Sequence, residues 1–97
     1  MTTLHILNSG IGSQLQSCLR VLSDGDGILL CGEAVQALRT GSQAAQLLMT
    51  QNNYRLYALQ EDLEARAIDA SQFVLTVVDY PAFVALTVEY ARVNSWI

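Results

Sequence analysis

Two thiols, one imidazole and a group of three carboxylates are the side chains on which any chemistry of this sequence would rest. Cys18 and Cys31 lie 13 residues apart, there is no Cys-x-x-Cys pair, and His5 is the single histidine. That is too few ligands, wrongly spaced, for a structural zinc site, so neither a metal nor a cofactor is expected. In a reducing cytosol both cysteines are expected as free thiols. A thiolate accepts sulfane sulfur as a persulfide when it is partly exposed and its pKa is lowered. Cys18 shares an apolar stripe with Leu15, Leu19 and Leu22, and Cys31 ends an apolar run, so core packing competes with sulfur handling at both.

The other candidates are weaker. His5 sits inside a predicted strand, which favours a core or interface histidine over a Ser/His/Asp catalyst. Glu61, Asp62 and Glu64 imitate a carboxylate pair, but they crowd a predicted helix start, where carboxylates oppose the positive end of the macrodipole. The run Asn8 to Ser13 carries Gly10 and Gly12 like a phosphate loop. The third glycine of GxGxxG is replaced by Leu15, however, and no GK[ST] follows. A turn and helix cap is the preferred reading there, with a stand-alone small-ligand or nucleotide-binding module as the alternative.

The elements that position these residues follow from hydrophobic periodicity. Leu4 to Leu7 reads as a buried strand, and Ile11, Leu15, Cys18, Leu19 and Leu22 recur at helical spacing until Ser23-Asp24-Gly25-Asp26-Gly27 stops them. Ile28 to Cys31 is apolar without alternation, as in a strand buried on both faces of a parallel sheet. A short helix over about 33–38 and a second over about 42–49, capped by Ser42, precede a strand at 55–59. A small helix ends near Arg66, and Phe73 to Val78 is the strongest strand signal of the chain. Asp79-Tyr80-Pro81 starts the last helix, which runs to about Tyr90, and Val93 to Ile97 is a candidate edge strand. Strands alternating with helices at this spacing imply βαβ units, hence an α/β fold with a mostly parallel sheet of four or five strands flanked by helices.

Length and composition set the frame. The 97 residues suit one domain. Hydrophobic residues make up 52% and charged residues 14%, against about 25% charged in ordinary soluble domains. That is little charge to coat a lone monomer, and burial of apolar surface in an oligomer is the expected remedy. No run approaches the roughly 20 apolar residues of a membrane span, and the start of the chain has no secretory pattern, so a cytoplasmic location is expected. The formal net charge is −4 and the five arginines are scattered, which argues against direct nucleic-acid binding.

Over its whole length the chain resembles the TusB/DsrH family of sulfur-relay subunits. The resemblance is carried by Leu4-His5-Ile6-Leu7-Asn8, Ser17-Cys18-Leu19-Arg20, Gly25-Asp26-Gly27-Ile28-Leu29-Leu30 and the run Tyr57 to Arg66. It closes with Val78-Asp79-Tyr80, Phe83 to Glu89 and Trp96. The resemblance implies a DsrE-like three-layer sandwich and membership of a heterohexamer with TusC-like and TusD-like sister subunits. Such a complex hands persulfide sulfur to an acceptor protein of the TusE/DsrC type, for 2-thiolation of the tRNA wobble uridine in one branch and for sulfur oxidation in the DsrH branch. The family's sulfur-carrying cysteine belongs to the larger sister subunit, near the helix after its third strand. Ala58 to Asp62, the corresponding stretch here, has no thiol, which implies an accessory role without catalysis by this chain alone. Cys18 falls where DsrH-type members carry a cysteine, which makes it the candidate sulfur acceptor, with core packing as the competing reading. The resemblance also leaves room for a homo-oligomer when the sisters are missing. Two positions depart from the family pattern: Glu33-Ala34 replaces an Asp-Gly, and Ala67 stands where glycine is common.

Overall fold

Five parallel strands form one sheet in the computed structural model, which describes residues 2–8, 13–39, 41–50 and 53–96. In chain order the elements are β1 (Thr3–Leu7), α1 (Ser13–Arg20), β2 (Gly27–Leu30), a 3-10 helix (Gly32–Leu38), α2 (Gln43–Thr50), β3 (Arg55–Leu59), α3 (Gln60–Ala65), β4 (Thr76–Val78), α4 (Tyr80–Glu89) and β5 (Arg92–Trp96). The strand order is β4-β3-β2-β1-β5. The chain therefore steps across the sheet from β1 to β4, then crosses back to lay β5 against the free side of β1, where Thr3 faces Arg92 and Leu7 faces Trp96.

The two faces are covered unequally. On one, Leu7, Ile28, Leu30, Leu56 and Ala58 pack with Leu15 and Cys18 of α1, Val35 and Leu38 of the 3-10 helix, Leu48 of α2 and Leu63 of α3. On the other, Leu4, Leu29, Tyr57, Leu59 and Val78 meet one helix, α4, through Leu86, Ala82 and Phe83. β2 is buried along its whole length, as its unbroken apolar sequence requires in a sheet covered on both sides.

Caps set the helix ends. Ser42 Oγ accepts the Ala45 N–H at 3.0 Å, and Asp79 Oδ1 accepts the Ala82 N–H at 3.0 Å with Pro81 in the first turn. Both were expected from sequence. α3 ends in a Schellman motif, in which the Ile68 N–H reaches Leu63 O at 3.0 Å and the Ala67 N–H reaches Glu64 O at 3.2 Å. That motif needs a left-handed residue, and Ala67 supplies it at φ 52° where glycine is the usual choice.

One expectation needs correction. The strand predicted over 73–78 pairs only at Thr76 to Val78, opposite Tyr57 to Leu59, although β3 itself runs back to Arg55. Phe73 instead turns into the core while Val74 stands in solvent. The short helix expected over about 33–38 is present as a 3-10 helix that starts at Gly32. The first helix is described from Ser13, so the expected start at Ile11 and the glycines of the run Asn8 to Ser13 lie outside the described residues.

Candidate functional site

In sheets of this type ligands bind beyond the carboxyl ends of the strands. At that edge Cys31 follows β2 directly. Its backbone N–H donates to Leu7 O at 3.0 Å, and its half-buried thiol donates to the same oxygen with Sγ 3.7 Å away. The next peptide is fixed from two sides. The Gly32 N–H donates to Asp62 Oδ2 at 2.7 Å, and the Glu33 N–H donates to Asn8 O at 3.1 Å. Gly32 has φ +55°, and a Cβ there would lie 2.7 Å from Asn8 O, so a side chain is excluded by strain and by contact together.

The acidic helix start does more than oppose the dipole. Asp62 holds Gly32 and faces Arg66, with 3.6 Å between Oδ1 and Nη1. Arg66 Nη2 donates to Glu33 Oε1 at 2.8 Å, and Arg39 Nη2 donates to Arg66 O at 3.3 Å. The Arg66 hydrogen bond and charge hold the Glu33 carboxyl below its ordinary range. The Arg66 guanidinium is thus already matched by two carboxylates. Burial, and then the Asp62 charge, push the Cys31 thiol up. Both effects hold the Cys31 thiol in its protonated form.

Cys18 lies elsewhere. It is fully buried on the inner face of α1, in the cluster with Leu15, Ile28 and Leu30. Burial, reinforced by the Asp26 carboxylate, pushes its thiol up to about 12. Both conditions for persulfide uptake, exposure and a lowered pKa, run the other way at this position in the isolated chain. The two free cysteines also face different clusters, Cys18 towards α1 and Cys31 towards α4, so the fold does not bring them together. Among the described residues no group of three or more His, Cys, Asp or Glu side chains is placed to hold a metal ion.

His5 belongs to a buried chain of polar groups that sequence reasoning missed. Asp26 Oδ1 accepts the Thr3 N–H at 2.9 Å, and Oδ2 accepts the Ser23 N–H at 3.0 Å and meets His5 Nε2 at 3.2 Å. On the far side of the ring, Trp96 Nε1–H donates to His5 Nδ1 at 3.1 Å. Burial alone would raise the Asp26 carboxyl. The two backbone N–H groups and His5 outweigh that and hold it below its ordinary range. Asp26 sits in a Ser/Asp/Gly run that reads as a solvated turn, and nothing in that run signals that one of its two aspartates is buried.

The remaining feature is a surface. α4 carries one charge in ten residues, Glu89 at its end. Tyr80, Val84 and Val88, at intervals of four, are 53%, 60% and 81% exposed and form an apolar ridge on the side away from the sheet.

Comparison with known proteins places this architecture. The profile described as DsrH like protein matches residues 8–93. The chain belongs to the DsrH family. It is 39% identical over 83 residues to protein TusB of Serratia proteamaculans (strain 568), covering 84% of this chain and 86% of that one. It is 35% identical to protein TusB of Salmonella paratyphi B over 95 residues, 96% of this chain and 99% of the relative. A solved protein of unknown function from Methanobacterium thermoautotrophicum shares the fold at a TM-score of 0.65 and 19% identity, with 96% of each chain covered. The fold shared with that protein is the five-strand parallel sheet flanked by helices described above. No helix among the described residues is long and apolar enough to cross a membrane.

Proposed function

We propose that this DsrH-family chain is the accessory subunit of a sulfurtransferase complex of the TusBCD or DsrEFH kind, relaying persulfide sulfur for 2-thiolation of the tRNA wobble uridine in the cytoplasm. Its relatives named TusB, matched over nearly their whole length, support this branch. The observation that carries the accessory role is the outer ridge of α4. Tyr80, Val84 and Val88 present an uncharged surface, and a helix apolar on all sides is normally covered on all sides. In this reading a sister subunit of the TusC or TusD type covers it, and the persulfide sits on a sister's cysteine. An acceptor of the TusE/DsrC type takes the sulfur onward, and any RNA is held by another protein.

Cys18 serves this reading as a core side chain. A direct sulfur-accepting role would require α1 to lift from the sheet and bare a side chain that is now sealed. Co-expression with the two sister subunits tests the proposal. One stable assembly is expected, and a Val84→Glu, Val88→Glu chain should drop out of it. Separate elution of the unaltered subunits would overturn the reading. For Cys18, mass spectrometry after incubation of the complex with a persulfide donor should show the added sulfur on the sister. An adduct on Cys18 would reassign the acceptor to this chain.

A further inference from the structure

We infer that Trp96, His5 and Asp26 form a proton-sensitive clasp that holds the C-terminal strand on the sheet and opens when His5 is protonated. The argument starts from donors and acceptors. An indole N–H only donates, so His5 Nδ1, 3.1 Å from Trp96 Nε1, must accept. The imidazole then carries its hydrogen on Nε2, directed at Asp26 Oδ2 3.2 Å away. Only the neutral ring with this one tautomer fits, because a second ring proton would sit on Nδ1 and turn it from acceptor to donor. A proton and the indole therefore compete for a single lone pair.

The rest of β5 gives the strand little independent hold. Arg92, Val93, Asn94 and Ser95 are all exposed, and β5 is an edge strand with β1 as its one neighbour in the sheet. Beyond the backbone ladder, Trp96 is its anchor, packed against the core cluster of the α1 face. Opening the clasp removes that anchor while β1 to β4 keep their own pairings.

The charged and titratable surroundings set the sign. From the segment before β2 comes Asp26, whose carboxylate stays ionised across the range in which histidines titrate. From α1 comes Cys18, a neutral thiol beside Asp26. From β5 comes Arg92, exposed and in register with Thr3, two residues before His5. Docking requires the unprotonated ring, so the undocked state binds the additional proton. The docking equilibrium then falls as pH drops, by up to about tenfold per pH unit.

Trp96 is the one tryptophan of the chain, so its emission reads the clasp directly. With the full chain taken from pH 8 to pH 5, we expect a red shift of the emission. Hydrogen exchange in residues 92–96, corrected for intrinsic rates, should rise while far-UV circular dichroism still reports the folded sheet. His5→Gln keeps an acceptor for the indole and a donor for Asp26 without a titrating ring, and should hold the emission constant over the same range. Emission and exchange that do not change with pH in the unaltered chain, or that change equally in His5→Gln, would overturn the proposal. Trp96→Phe gives a second reading should His5→Gln fail to fold. It lacks the indole N–H, and its β5 should exchange at pH 8 as fast as that of the unaltered chain at pH 5. A β5 in Trp96→Phe that remains protected at pH 8 and opens on acidification would equally refute the clasp.

Discussion

Asp26 shows how one buried charge makes a fold pH-dependent. Its carboxyl pKa is lower in the folded chain than in the unfolded one. Its contribution is therefore complete above the ordinary carboxylate value of about 3.9 and is lost as pH falls through the lower folded value. Asp26→Asn should cost about 2–3 kcal/mol at pH 7 in urea unfolding, since the amide cannot supply both oxygens to Thr3, Ser23 and His5. The same substitution should flatten the acid limb of stability against pH. At Ala67 the opposite change is available. Its φ of 52° is one that glycine adopts freely, and Ala67→Gly should raise stability by about 0.5–1 kcal/mol on thermal unfolding. That position was marked in the sequence as a departure from the family's glycine, and the Schellman motif gives the departure its cost. Cys18→Ser places a hydroxyl in a sealed apolar pocket and should destabilise by about 1–3 kcal/mol, while leaving sulfur transfer by the assembled complex intact.

Among the elements, α4 separates two demands that usually coincide. Its inner side, Ala82, Phe83 and Leu86, holds the sheet, whereas Val84 and Val88 touch little within this chain. Val84→Glu should therefore shift the unfolding midpoint by no more than about 0.5 kcal/mol and yet weaken binding to the sister subunits, as read by co-purification. The start of α4 was legible from Asp79-Tyr80-Pro81, which left the cap between Asp79 and Tyr80, and the side chain of Asp79 fills that place. The extent of β4 was not legible, since Phe73 to Val78 is uniformly apolar and periodicity cannot tell residues that pair from residues that fold over an edge. Val74 has the composition of a strand and the environment of a loop. Asp62 was read as a carboxylate serving a helix end, and its bond to Gly32, 30 residues earlier, has no local signature.

For the molecule as a whole, alternation of strands and helices was enough to give a parallel sheet with helices on its faces, and the tail strand suspected from its sequence is present as β5. What stayed hidden were contacts of long separation. His5 and Trp96 are 91 residues apart, and nothing near either residue names the other. The unequal covering of the two faces follows from which crossovers fall on which side, a property of chain path that composition reports only as a shortage of charge.

The pairing of β5 with β1 also has a consequence for biosynthesis. β1 cannot complete its second edge until β5 has been synthesised. At about 5–20 residues per second, Trp96, 91 residues after His5, would follow it by roughly 5–20 s. Throughout that interval the nascent chain presents an open backbone ladder to its neighbours on the same messenger, and a pause in translation before β5 would lengthen the exposure without changing a single amino acid.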